Sequence, residues 1–228
     1  MTRIAGGQHL LGDPEKEVLR NLMWRVRDFC GVRILTYCLM SNHFHVLVDV
    51  PEAGPVSDTE LIRRYSALYR NPSEYTTLSP SALKLLLERD DEEAERTRAR
   101  LLARMGDLSE FMKTLKQRFS IWYNKNHDRY GTLWAERFKS VLVEGKGNAL
   151  QTMAAYIDLN PVRAGLVSDP KNYRFCGYGE ASAGSALAQQ GLMQVWADHM
   201  GGSKDPRGAV RAHGELIAGK GATGEDAV

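Results

Sequence analysis

The stretch Met40-Ser41-Asn42-His43-Phe44-His45-Val46-Leu47-Val48 constrains this chain more than any other. In an extended strand, residues two apart project from one face. His43 and His45 therefore stand side by side, with Phe44 packed behind them. The run continues as Val-Leu-Val and stops at Pro51. Two imidazoles on one sheet face make half a site for a divalent metal. Bare ring nitrogens on an apolar strand are costly unless something satisfies them. Taken alone, such a pair is more often two rim histidines bonded to water or backbone.

The neighbouring sequence supplies the rest of a small sheet. Asp13 and Pro14 suit a helix start, and apolar residues at Val18, Leu22, Val26 and Phe29 give a stripe over Glu15 to Cys30. Gly31 ends that helix. Val32 to Leu39 is rich in strand formers and predicts an antiparallel hairpin with the histidine strand. Lys139 to Val143 reads as a further strand. Between them, residues 56–106 form a polar, helix-prone insert, with Ser57-Asp58 and Ser79-Pro80-Ser81 as helix starts. Its charge-dense run, Leu87 to Arg96, reads as an exposed helix face. Asp107 caps a helix to about Asn126 with Phe111, Leu115, Phe119 and Trp122 on one side. Asn148 opens another through Met153, Ile157 and Leu159, stopped by Pro161. A domain over residues 1–180 is expected, with residues 181–228 as a C-terminal extension. The end, Ala218 to Val228, reads as disordered.

Composition narrows the functional classes. The net charge of +2 over 228 residues leaves no global basic signature, so a nucleic-acid surface must come from local clustering. Cys30, Cys38 and Cys176 are odd in number and lack ligand spacing. They read as free thiols of a cytoplasmic protein. No apolar run approaches the ~18 residues of a membrane span, and the N-terminus lacks the apolar core of a signal peptide.

Two further stretches carry chemistry. In Tyr156-Ile157-Asp158-Leu159-Asn160-Pro161-Val162-Arg163-Ala164-Gly165, Tyr156 and Asn160 are four apart on a helix and share a face. One offers a phenol nucleophile, the other an amide oxygen able to bind a hard cation. A tyrosine on an amphipathic helix is, by itself, more often an interface residue. From Leu108 to Lys146, eight cations stand against four anions, with Phe119, Trp122, Tyr123, Tyr130, Trp134 and Phe138 interleaved. Cations that track phosphates and rings that stack on bases suit single-stranded nucleic acid. Lys116, Arg118, Arg137 and Lys139 are the candidate phosphate contacts and Trp134 the candidate stacking ring. Phe119, Trp122 and Phe138 are assigned to the core.

Together these stretches resemble the REP-associated tyrosine transposases of the HUH single-strand transposase superfamily. The matching words are Tyr37-Cys38-Leu39-Met40-Ser41-Asn42-His43-Phe44-His45, Tyr130-Gly131-Thr132-Leu133-Trp134-Ala135-Glu136-Arg137-Phe138-Lys139-Ser140 and the Tyr156 to Gly165 run, with Asp169-Pro170-Lys171-Asn172-Tyr173-Arg174-Phe175 downstream. Each word is weak alone; their order and spacing carry the resemblance, from about Arg3 to Ala183 excepting the insert.

The resemblance implies an α+β fold with a ferredoxin-like antiparallel sheet packed with helices. It implies a Mg²⁺ or Mn²⁺ ion held by His43, His45 and Asn160, and Tyr156 as nucleophile. The expected activity is cleavage and rejoining of single-stranded, hairpin-type DNA through a 5′-phosphotyrosine. No membrane partner is expected, and a homodimer is one of two oligomeric states the resemblance allows. Relatives carry a strand ahead of the Arg3 turn, where only Met1 and Thr2 stand here, so a sheet lacking that strand is expected, between the histidine strand and Lys139 to Val143. The alternative is an inactive or truncated single-strand-binding remnant.

Overall fold

The computed structural model describes residues 1–52, 54–69, 78–145, 148–201 and 205–223. In chain order the elements are β1 (Thr2–Arg3), α1 (Asp13–Cys30), β2 (Arg33–Leu39), β3 (His43–Asp49), α2 (Asp58–Leu68), α3 (Pro80–Leu87), α4 (Glu92–Leu102), α5 (Leu108–Asn126), α6 (Ala149–Asp158), α7 (Asn160–Arg163), α8 (Gly177–Ser182), α9 (Ala186–Val195) and α10 (Pro206–Thr223). The fold class is α+β, with one small antiparallel sheet among the described residues. Two compact units share the chain. The first takes Met1–Glu17, Ile34–Asp49 and Gly131–Val228; the second takes Val18–Arg33 and Val50–Tyr130. Among the described residues, no helix is long and apolar enough to cross a membrane.

The first unit contains the sheet, in the order β1-β3-β2. β2 and β3 form the predicted hairpin, closed where the Met40 N–H donates to the His43 carbonyl at 2.8 Å. β1 runs antiparallel to β3, with Thr2 opposite Phe44 and Arg3 opposite His43. Period-two alternation then puts Thr2 and Phe44 on a buried face and Arg3, His43 and His45 on the other. Residues 34–39 of β2 are buried throughout. Its outer edge is covered by the 173–176 segment: the Leu39 N–H donates to the Phe175 carbonyl at 2.9 Å, and the Tyr173 hydroxyl donates to the Leu39 carbonyl at 2.7 Å. α9 reaches β2 at Gly191, where any Cβ would collide with the Ile34 and Leu35 carbonyl oxygens. Only glycine permits that approach.

Two expectations are corrected in this unit. The position ahead of the Arg3 turn does hold strand, though only the two residues of β1. Lys139 to Val143 is not a strand. Met1 and Lys139 exchange backbone hydrogen bonds at 2.8 and 2.9 Å, and the next residues find no ladder partner among the described residues. Val141 and Leu142 are 79% and 97% exposed. Apolar alternation forms no strand without a neighbour to pair with. Of the stretch Ala218 to Val228, residues 218–223 fall within α10; residues 224–228 lie outside the described residues. α10 is held because Ala209, His213 and Ile217 sit in buried positions against α8, α9 and α6.

The second unit is helical, and its caps match the sequence reading. Ser57 accepts from the Glu60 N–H, Ser79 from Ala82 and Asp107 from Glu110. Pro80 sits in the first turn of α3. α5 buries Phe111, Leu115 and Phe119 as expected, while Trp122 stays half-buried and Tyr123 goes inside. The charged run before and into α4 is exposed at Glu92, Glu93, Glu95 and Arg96, with Ala94 and Thr97 turned inward. On α1 the buried stripe runs Leu19, Met23, Val26 and Cys30, leaving Val18 and Leu22 half-buried. All three cysteines are buried thiols.

Candidate active site

β3 presents His43 and His45 on one face, with ring centroids 5.1 Å apart and planes at 80°. α6 packs against β3. The Tyr156 ring lies edge-on to His45, centroids 6.4 Å apart. Two residues more than a hundred positions from the third thus share one patch of the first unit. Behind the histidines, Phe44 is fully buried and meets the Trp134 ring at 5.8 Å.

Asn42 sets the tautomer of His43. Its Nδ2 donates to the Gly7 carbonyl at 3.3 Å, which turns its Oδ1 toward the ring, 2.7 Å from His43 Nδ1. An amide oxygen only accepts, so Nδ1 carries the ring proton and Nε2 keeps its lone pair. This is the kind of support that orients a metal-binding imidazole. Both rings also resist protonation. Burial lowers the His43 pKa, helped by the Arg3 guanidinium, the N-terminal ammonium and His9. Burial, then His43, the N-terminal ammonium and Arg3, take His45 to about 4. Two neutral imidazoles with open lone pairs fit a divalent ion, which needs deprotonated ligands.

Asn160 does something different from what spacing suggested. α6 ends at Asp158, and Asn160 begins the short α7. Its Nδ2 donates to the Tyr156 and Ile157 carbonyls at 2.9 and 3.0 Å. The side chain thereby caps the last turn of α6, satisfying carbonyls that Pro161 helps to orphan. Its Oδ1 remains the only amide atom with lone pairs to offer a cation. No group of three His, Cys, Asp or Glu side chains suited to a metal occurs among the described residues.

What orients Tyr156 was not legible beforehand. Asp158, two positions on, is wholly buried. Its carboxylate accepts from the Thr36 hydroxyl at 2.8 and 2.9 Å, from the Tyr178 N–H at 3.0 Å and from His213 Nε2 at 3.0 Å. Trp196 Nε1 donates to His213 Nδ1 at 3.4 Å, so His213 carries its proton on Nε2. This network ties α6 to β2 and α10. With Asp158 locked inward, helical geometry turns Tyr156 to a different side of α6, toward the histidines. The sequence signal was a carboxylate amid apolar neighbours, but its partners are scattered from Thr36 to His213.

Arg163 is the second residue the sequence reading left unassigned. Its guanidinium carbon lies 4.6 Å from the centre of the Tyr156 ring. The candidate DNA contacts are divided between the two units. Trp134 is 7% exposed and packed on Phe44, so it is a core ring and not a stacking platform. Arg137 is exposed, and Lys139 pairs with Glu136 at 3.1 Å. Lys116 and Arg118 lie on α5 in the second unit, where Arg118 sits 4.5 Å over the Tyr69 ring. Lys146 lies outside the described residues. Tyr130, counted among the interleaved rings, is 94% exposed.

The chemistry on offer is a phenol beside two neutral imidazoles in positively charged surroundings. An anionic substrate suits such a site, since Arg3 and Arg163 flank it without a carboxylate partner among the described residues. No protein-family model, curated protein or solved structure matches the chain.

Proposed function

We propose that the protein cleaves and rejoins single-stranded DNA, with Tyr156 as nucleophile and hairpin-type repeats as substrate. The observation that carries this reading is the juxtaposition of the Tyr156, His45 and His43 rings. It is supported by the three sequence words that resemble the REP-associated tyrosine transposases. The Tyr156 oxygen would attack phosphorus and give up its proton. The P–O3′ bond would break and the departing 3′-oxygen would take up a proton, leaving a 5′-phosphotyrosine and a free 3′-hydroxyl. The phosphodiester energy stays in the new ester, so a 3′-hydroxyl can reverse the step without ATP.

His43, through Nε2, and His45 would hold a Mg²⁺ or Mn²⁺ ion, with Asn160 Oδ1 as the candidate third donor. When bound, such an ion supplies positive charge against the developing charge on phosphate oxygens. The residues themselves do the remaining work. Asn42 holds His43 in one tautomer. Asp158 holds α6, and hence Tyr156, against the sheet.

The test is a hairpin-containing single-stranded oligonucleotide incubated with Mn²⁺ and run on a denaturing gel. A covalent protein–DNA adduct is expected, and Tyr156→Phe should abolish it. An adduct that persists in Tyr156→Phe assigns the nucleophile elsewhere. A second reading is a single-strand-binding protein without chemistry, in which Asn160, its Nδ2 on two α6 carbonyls, serves only as a helix cap. That reading predicts salt-sensitive DNA binding and no adduct with any metal.

A further inference from the structure

We infer that Arg163 is a phosphate-binding residue of this site, its guanidinium gripping the phosphodiester presented to Tyr156. The inference rests on Tyr156 being the reacting residue. Arg163 closes α7, where its N–H donates to the Leu159 carbonyl at 3.0 Å, and its side chain is exposed. The guanidinium carbon stands 4.6 Å over the Tyr156 ring, and Nη1 makes one long contact, 3.4 Å, to the Tyr156 carbonyl. No carboxylate pairs with it among the described residues. Several other arginines do find acids: Arg98 meets Asp58, Arg64 meets Glu60 and Arg174 meets Glu17. The acid nearest Arg163 in sequence, Asp158, is consumed by Thr36, Tyr178 and His213. Most of the guanidinium donors therefore remain available beside the phenol.

A planar fork of N–H donors matches two non-bridging phosphate oxygens, which an ammonium cannot do. Any phosphate brought to the Tyr156 oxygen comes to the edge of a ring whose face already carries this fork. Arg3, opposite His43 across the β1–β3 pair and on the same sheet face, adds positive charge beside the histidines. The ligand is thus a phosphodiester, gripped by Arg163 beside the phenol, with the charge of Arg3 near His43.

The experiment uses the full chain in two backgrounds. In Tyr156→Phe, which carries no nucleophile, binding of a labelled hairpin oligonucleotide is measured from about 50 to 200 mM KCl. Adding Arg163→Gln should make the slope of log K against log salt shallower by about one. With Tyr156 intact and Mn²⁺ present, single-turnover adduct formation at saturating DNA should fall about 100-fold in Arg163→Gln. Arg163→Lys should restore the slope but only part of the rate. An unchanged slope together with a rate within about two-fold overturns the inference and leaves Arg163 as a cap for α6. If no variant forms an adduct, the slope decides alone: a shallower slope keeps Arg163 as a phosphate contact while the nucleophile assignment falls. Thermal unfolding of Arg163→Gln and Arg163→Lys should match the parent, since the side chain is exposed.

Discussion

Protonating His45 in the folded chain means placing charge in a half-buried site already facing His43, Arg3 and the N-terminal ammonium. Its pKa is therefore about 4 against an ordinary 6.5. Between those values the unfolded chain binds the proton and the folded chain does not, so stability is fully present above about pH 6.5 and is lost as pH falls toward 4. After allowance for solvent screening, the wild type should lose on the order of 1–2 kcal/mol more than His45→Asn between pH 7 and pH 4.5 in urea titrations. Equal losses would show that His45 is not held in that environment. At this scale the sequence was partly legible. That His43 and His45 share a face follows from strand period alone. That Trp134 is buried did not follow, because its word reads as a Gly-led turn and only the tertiary contact with Phe44 decides its side.

The element that matters most is the α6–α7 corner. Pro161 ends the helix, as its chemistry dictates. It also splits Tyr156 and Asn160 between two helices, so the amide turns back as a cap. Asp158 anchors the corner through three donors in a site without water access. Asp158→Ala removes the acceptor they share and should destabilise the fold by about 3–5 kcal/mol. Thr36→Val removes one donor and should cost about 1–2 kcal/mol. Chemical denaturation checks both, and equal small effects would mean that the network is not structural. Helix starts were the best-read elements because caps are local: Ser57, Ser79 and Asp107 each bond an N–H three residues on. The 139–143 strand was misread because strand formation needs a partner, and partners are not local.

In the whole molecule, the first unit is assembled from three separated segments. Residues 131–223 bring α6 to the sheet and then close over it with α8, α9 and α10. α10 contributes Ala209, His213 and Ile217 to buried positions. A chain ending at Gly201 would leave Asp158 short of one donor and two apolar clusters open. Its Tm should fall by more than ~10 °C, read by calorimetry. An unchanged Tm would show the C-terminal helices to be an appendage, as their composition suggested.

The choice of Tyr156 as the phenol to watch came from the resemblance. From the order of residues alone came the strand that carries the histidine pair, the hairpin before it and the helix caps. Each rests on short-range geometry: a period of two or 3.6, a cap, a proline stop. Tertiary structure alone decided that Tyr156 meets His45, that Asp158 and His213 are buried partners, and that Asn160 faces its own helix. Those contacts span 111, 55 and four positions in sequence, and the longer ones exist only after the sheet and its helices have closed around them.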